Sequence, residues 1–162
     1  MVAGLSNSNV SVPPFLFSVV EWKLSTDPRS IWGSLRRLSD TSAQHDGKKG
    51  EIAAICGDRP LRGGRFAWRV RAEGLTGKNS DFEFGILPSN RNFERGYYKK
   101  SPNRTLLLLR QADFDPDTPE IVDFYLDATK GFFMAVSLTT SEREPFCVST
   151  SELWLPVFIL HN

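Results

Sequence analysis

The stretch from Ile121 to Thr139, IVDFYLDATKGFFMAVSLT, decides the fold. Residues 121–126 are mostly β-branched or aromatic, which suits a pleated and half-buried strand. Residues 127–131 supply turn chemistry, because Asp127 can bond its own backbone and Gly131 tolerates positive φ. Residues 132–138 then form the return strand. The pattern predicts a central β-hairpin with a loop of five residues, 127–131.

Strand-like periodicity continues on both sides of this hairpin. In residues 65–73, Phe66, Trp68, Val70 and Ala72 face one way and Arg65, Arg69 and Arg71 face the other. Further strands are predicted in residues 15–22, 35–38, 51–56, 81–87, 105–110, 146–148 and 152–160. Pro156 predicts that the last of these is an edge strand or contains a bulge. About nine strands with frequent turns, and no amphipathic helical period, predict an all-β antiparallel sandwich with little helix.

The chain reads as one domain with a short lead-in. Residues 1–14 have no period and predict a flexible lead-in, and residues 15–162 predict a single domain, compatible with a piece of a longer protein. Residues 40–50 are polar and predict a loop. No apolar run reaches the roughly 18 residues of a membrane span. Cys56 and Cys147 have no zinc-site spacing, and we expect both to be buried free thiols in an intracellular protein of the cytoplasm or nucleus.

Four stretches, in this order, resemble the SPRY (B30.2-type) domain family. Residues 64–71 resemble its Gly-x-x-Tyr-Trp-Glu-Val strand, with Ala67 and Arg69 departing from the pattern, and residues 82–87 resemble its Trp-x-Val-Gly-Val strand. Residues 122–134 resemble its Leu-Asp-x-x-x-Gly-x-Leu-x-Phe hairpin, and residues 153–158 its late Leu-Tyr/Phe-Pro segment. The resemblance implies two packed antiparallel sheets. It also implies a non-catalytic role in protein–protein recognition through surface loops, as a substrate-recruiting or adaptor domain.

Catalytic and metal-binding motifs are weak or absent in the sequence. The two histidines are His45 and His161, and no nucleophile elbow, phosphate loop or His-x-x-x-His occurs. The acidic run 113–117 has the spacing that opens a calcium loop, but Thr118 and Phe124 stand where glycine and glutamate belong. We therefore expect no enzyme activity, no cofactor and no metal.

Residues 88–104 are the most informative surface stretch. Basic residues are interleaved with aromatic ones, a mixture that is typical of interaction hot spots. A second loop, 57–64, presents two arginines on a proline-stiffened turn that could pair with acidic side chains of a partner. The predicted partner-binding residues are Arg59, Arg62, Arg91, Phe93, Arg95, Tyr97, Tyr98, Lys99 and Lys100. We expect loops 57–64, 88–104 and 140–145 to be displayed together to a protein or peptide.

Two alternatives stay open for these residues. The same basic and aromatic mixture suits single-stranded nucleic acid, or a glycan, although a net charge of +1 gives no global attraction to phosphate. The aromatic side chains of residues 88–104 could instead fold under the loop. The stripe formed by Arg65, Arg69 and Arg71 is predicted to be structural and to pair across strands with Glu83. The predicted core residues are Trp68, Phe84, Phe124 and Trp154.

Overall fold

The computed structural model describes residues 2–6, 17–48, 50–73, 81–89, 105–110, 118–139 and 143–161. These residues form thirteen strands, one 3-10 turn at Pro28–Ser30 and no α-helix. The strands are β1 (Val2–Ser6), β2 (Ser18–Val19), β3 (Ile31–Trp32), β4 (Leu35–Arg37), β5 (Ser42–His45), β6 (Ile52–Cys56), β7 (Arg65–Glu73), β8 (Asp81–Pro88), β9 (Thr105–Arg110), β10 (Glu120–Asp127), β11 (Phe132–Ser137), β12 (Arg143–Cys147) and β13 (Trp154–His161). Within this part of the chain, no helix is long and apolar enough to span a bilayer.

The strands form two sheets. The eight-stranded sheet has the order β12-β11-β10-β7-β1-β5-β4, with β2 joined to β7. The five-stranded sheet has the order β3-β6-β13-β8-β9. The β2–β7 pairing is parallel, and the other pairings between these strands are antiparallel. The predicted all-β sandwich is confirmed.

The core lies between the sheets and is built from the inward positions of the alternating strands. Trp68 stacks on Phe124 with ring centroids 5.5 Å apart, and Phe133 stacks on both. Phe84 and Trp154 contribute from the five-stranded sheet. The four predicted core residues are each no more than 2% exposed, which confirms their assignment. Burying each such aromatic side chain stabilises the fold by roughly 2–3 kcal/mol.

The predicted central hairpin is present as β10 and β11. Its register pairs Asp127 with Phe132, so the loop is residues 128–131 and is one residue shorter than predicted. Asp127 remains in the strand because it still pairs with Arg65 of β7 on its other side.

Two segments that were predicted to be a flexible lead-in and a loop contain strands in the structure. The flexible lead-in predicted for residues 1–14 is wrong for residues 2–6, because β1 pairs with both β7 and β5. The loop predicted for residues 40–50 is wrong for β5, where Ala43 and His45 are buried. Neither segment shows a sustained strand period. Strand β1 is fixed by ladders to β7 and β5, and β5 by ladders to β1 and to its neighbour β4.

Two expectations about the C-terminal strands are also wrong. Strand β13 is not an edge strand but lies between β6 and β8. Pro156 is tolerated there because its missing N–H would face the β6 side, where its carbonyl accepts from Gly57 N at 2.9 Å and the ladder with β6 begins only at Val157. Of the two thiols, Cys56 is buried but Cys147 is exposed, because Cys147 of β12 pairs with the outward-facing Phe132 of β11. Burial raises the pKa of the Cys56 thiol.

Candidate recognition end of the sandwich

Three connections meet at one end of the sandwich, which we call the hairpin end. Residues 57–64 and 148–153 each join one sheet to the other, and residues 128–131 form the turn of the β10–β11 hairpin. Leu61 and Trp154 exchange backbone hydrogen bonds of 2.7 and 3.0 Å. The amide of Ala128 donates to the Gly64 carbonyl at 2.9 Å, and the amide of Val148 donates to the Gly131 carbonyl at 2.8 Å. These bonds tie the three connections into one surface.

Asp127 organises the turn at the centre of this surface. Its carboxylate accepts from the amides of Thr129 and Lys130 at 3.1 and 2.9 Å and from Arg65 Nε at 2.9 Å. Burial alone would raise the pKa of Asp127, but the Lys130 amide, the Arg65 guanidinium and the Thr129 amide stabilise the charged form. The pKa of Asp127 is therefore held below its ordinary value of 3.8.

Glycine is required where the turn touches the neighbouring connection. Gly131 has a φ of 70°, and a Cβ there would lie 2.4 Å from the carbonyl oxygen of Val148. Gly64 has a φ of 108°, and its amide donates to Thr129 Oγ1 at 2.9 Å. A side chain at position 131 would therefore separate the turn from residues 148–153.

The backbone also places both ends of the predicted loop 88–104 at the hairpin end. Pro88 pairs with Trp154, and the amide of Ser89 donates to the Leu153 carbonyl at 2.7 Å. Thr105 begins β9 opposite Ile86, next to the same end. Of the predicted site residues, Arg91, Phe93, Arg95, Tyr97, Tyr98, Lys99 and Lys100 lie outside the described residues.

The third predicted loop, 140–145, does not join this surface in its described part. Strand β11 runs away from the hairpin turn, so residues 138–139, which follow its last residue, Ser137, lie at the opposite end of the sandwich. Residues 143–145 belong to β12, and residues 140–142 lie outside the described residues. The expectation that all three loops are displayed together is therefore wrong for residues 143–145, because β11 separates them from the turn.

The two predicted arginines of residues 57–64 have different surroundings. Arg59 donates to the Glu21 carbonyl at 2.9 Å, and its guanidinium lies 6.0 Å from the centre of the Trp22 ring. Trp22 is buried against Trp68, so Arg59 covers a core residue while staying exposed. Arg62 is also exposed, and it forms no ion pair with the described residues.

Sequence reasoning did not identify Lys130 as a site residue. Lys130 is exposed in the turn, and within the described ranges its side chain has no ion-pair partner. The nearest carboxylate in sequence, Asp127, is already occupied by two amides and Arg65. The turn motif itself was visible in the sequence, but the hydrogen bonds that place it beside residues 57–64 were not.

The basic stripe on β7 forms ion pairs across strands, as predicted, but not with the predicted partner. Arg69 forms two bonds with Asp123 of β10, at 2.6 and 2.9 Å, and Arg65 pairs with Asp127. Glu83 lies in the other sheet and contacts His161 Nε2 at 2.7 Å, so the predicted pairing with Glu83 is wrong.

In the described part of the chain, no group of three His, Cys, Asp or Glu side chains is placed to hold a metal ion.

Comparison with known proteins identifies the fold. No protein-family model and no curated protein sequence matches this chain. Among solved structures, the chain is similar to the TRIM65 PSpry domain, with a TM-score of 0.55, 15% identity, and 88% of this chain and 89% of that chain covered. It is similar to the NEUZ (NHR) domain of Neuralized from Drosophila melanogaster, with a TM-score of 0.54, 16% identity, and 96% and 94% of the two chains covered.

A stonustoxin structure is also similar, with a TM-score of 0.52 and 14% identity, over 88% of this chain and 27% of that chain. The chain therefore has the SPRY-like β-sandwich fold that its sequence motifs predict. At these identities the similarity concerns the fold, and a site has to be argued from this chain's own residues.

Proposed function

We propose that this protein is a non-catalytic, intracellular recognition module that binds a segment of a partner protein at the hairpin end. The observation that carries the proposal is the joining of residues 57–64, 128–131 and 148–153 by backbone hydrogen bonds, with both anchors of residues 90–104 beside them. A rigid sheet scaffold that holds several loops at one end is the usual arrangement for binding sites. The SPRY-like neighbours support a protein-interaction module. In this proposal the module serves as a substrate-recruiting or adaptor domain.

The proposed contact residues combine cations and aromatic rings. Arg62 and Lys130 are exposed at joined loops, and their charge favours acidic side chains on the partner. The remaining predicted residues are Arg91, Phe93, Arg95, Tyr97, Tyr98, Lys99 and Lys100. In this proposal Arg59 acts chiefly by holding residues 57–64 against Glu21 and Trp22.

A selection from displayed random peptides tests the proposal with a defined probe. We expect the purified protein to enrich peptides that contain acidic residues. Binding of those peptides should weaken about tenfold or more in Arg62→Glu/Lys130→Glu and in Tyr97→Ala/Tyr98→Ala, as expected when interface hot spots are lost. The matched control is Lys48→Glu, an exposed lysine between β5 and β6 at the opposite end, which should bind the peptides normally.

Each variant needs circular dichroism and thermal unfolding close to those of the wild type before its binding is compared. Failure to enrich any peptide would argue against a peptide-recognition module. Enrichment that neither hairpin-end variant weakens would place the binding surface elsewhere. The nucleic-acid alternative is tested separately by mobility shift with single-stranded RNA over a salt series, since phosphate contacts give a steep salt dependence.

A further inference from the structure

His45 lies at the opposite end of the sandwich from the candidate site, where the chain leaves β5 for the other sheet. Its ring is 4% exposed. The amide of Gly47 donates to Nδ1 at 2.8 Å, and Nε2 lies 3.2 Å from the carbonyl oxygen of Glu51. Because a carbonyl only accepts, Nε2 carries the ring proton and Nδ1 is the acceptor. These two bonds require the neutral ring in one tautomer.

The described residues of this loop, 46–48, 50 and 51, lie beside the ring. A Cβ on Gly47 would lie 2.2 Å from His45 Cε1 and 2.5 Å from Glu51 Oε2, so only glycine fits. The amide of Lys48 donates to Glu51 Oε2 at 3.1 Å, and the amide of Glu51 donates to the Lys48 carbonyl at 3.0 Å. The amide of Asp46 donates to the Ser34 carbonyl at 3.1 Å, so Asp46 is held independently of the histidine, whereas the Gly47 amide is bonded to the ring.

A second proton on His45 conflicts with this arrangement. It would sit on Nδ1 and face the Gly47 N–H, so two donors would meet and the hydrogen bond would be lost. A buried ring N–H without an acceptor is costly. The bond to Gly47 can be kept only while the ring is neutral.

The groups around His45 shift its pKa in both directions. Burial lowers the pKa of His45 from its ordinary 6.5, and the chain's α-amino group acts in the same sense. The carbonyl and carboxylate of Glu51 and the carboxylate of Asp46 oppose this but do not overcome it. Asp46 is itself held by Arg36 of β4 at 3.3 Å, the Lys48 side chain is exposed, and the β4 residue opposite His45 is Leu35.

We propose that His45 is an acid-sensitive latch, whose neutral ring holds Gly47 and Glu51 beside it in the connection between the sheets and whose protonation releases Gly47. The direction of the pH dependence follows from the lowered pKa of His45 in the folded protein. The stabilisation is complete above the ordinary histidine pKa of 6.5, and it is lost as the pH falls through the lowered value. The latch needs no partner, and it does not depend on the function proposed for the hairpin end.

Amide hydrogen exchange of the folded protein, read by NMR as protection factors, tests the latch. We expect the Gly47 amide to be protected at about pH 7.5 and to lose about tenfold or more of that protection once the ring is charged, near pH 5 or below. The Phe124 amide, in a central strand, reports global unfolding and should stay protected. In His45→Asn, whose side-chain oxygen can accept from Gly47 without titrating, protection of Gly47 should not change with pH.

The ring nitrogen chemical shifts of the wild type give an independent result. We expect the Nε2–H tautomer at neutral pH. A wild-type Nδ1–H tautomer, or Gly47 protection that survives full titration of the ring, would overturn the proposal. If His45→Asn does not fold, these two wild-type measurements decide the matter without it.

Discussion

The two faces of the ribbon formed by β7, β10 and β11 are held together by different physical interactions. On the inner face, Trp68, Phe124 and Phe133 stack with centroids 5.5–6.1 Å apart and are almost fully buried. On the outer face, one residue away in sequence, Arg69 pairs with Asp123 and Arg65 pairs with Asp127. A single strand register therefore fixes both an aromatic stack and a row of ion pairs. Shifting it by one residue would move the charges into the aromatic core between the sheets and the rings onto the outer face.

The largest expected effect comes from comparing the two adjacent phenylalanines of β11. Phe133 is fully buried, whereas Phe132 is 37% exposed on the outer face. Replacing Phe133 with alanine should lower the free energy of unfolding by about 3–5 kcal/mol, because the stack loses a ring and leaves a cavity. Replacing Phe132 with alanine should cost under about 1 kcal/mol. Urea unfolding measures both, and equal losses would contradict the difference between the faces.

Replacing one partner of the buried Arg69–Asp123 pair should lower the free energy of unfolding strongly, whereas replacing both partners should lower it much less. Arg69→Met leaves the carboxylate of Asp123, which is 1% exposed, without its guanidinium, and should cost about 3 kcal/mol of unfolding free energy. The double variant Arg69→Met/Asp123→Leu should recover most of that loss. Arg71→Met is the matched control, because Arg71 pairs with Glu73 while half exposed, and should cost under about 0.5 kcal/mol. A double variant no more stable than Arg69→Met would show that the pair is needed for more than charge balance.

The smallest expected effect depends on pH. Asp127→Asn keeps an oxygen for the turn amides but loses the charge that Arg65 faces, and should cost about 1 kcal/mol at neutral pH. Because the pKa of Asp127 is lowered in the folded state, the wild-type advantage is complete above the ordinary value of 3.8 and disappears as the pH falls through the lowered one. Thermal unfolding of both proteins from neutral to acidic pH measures this. A gap in melting temperature that persists in strong acid would contradict it.

The sequence predicted the features that depend on residues close together in the chain. The alternation in residues 65–73 and the turn at Asp127 to Gly131 are local, and both were predicted almost to the residue. Strands β1 and β5 were missed because neither has a strand period of its own. Strand β1 is defined by its ladders to β7 and β5, and β5 by its ladders to β1 and β4. The partner of Arg69 was wrong for the same reason, since no local pattern shows that β10, rather than β8, lies beside β7.

The candidate site was predicted in part. Residues 57–64 were identified by their arginines and proline, but the separate roles of Arg59 and Arg62 required the positions of Glu21 and Trp22. Lys130 was missed because a lysine in a turn is usually just solvated. The contacts of Tyr97 and Tyr98 stay a prediction, which the peptide selection tests.

The position of β13 has a consequence for how the protein is made. This strand occupies the middle of the five-stranded sheet, between β6 and β8, although both of those precede it by many residues. During synthesis, β6 can pair with β3 and β8 with β9, but the edges that β6 and β8 present to each other stay uncovered until residues 154–161 leave the ribosome. Long-range pairing of this kind slows folding and leaves intermediates prone to aggregation. A nascent chain that has not yet reached residue 154 therefore exposes two strand edges in what becomes the middle of a sheet.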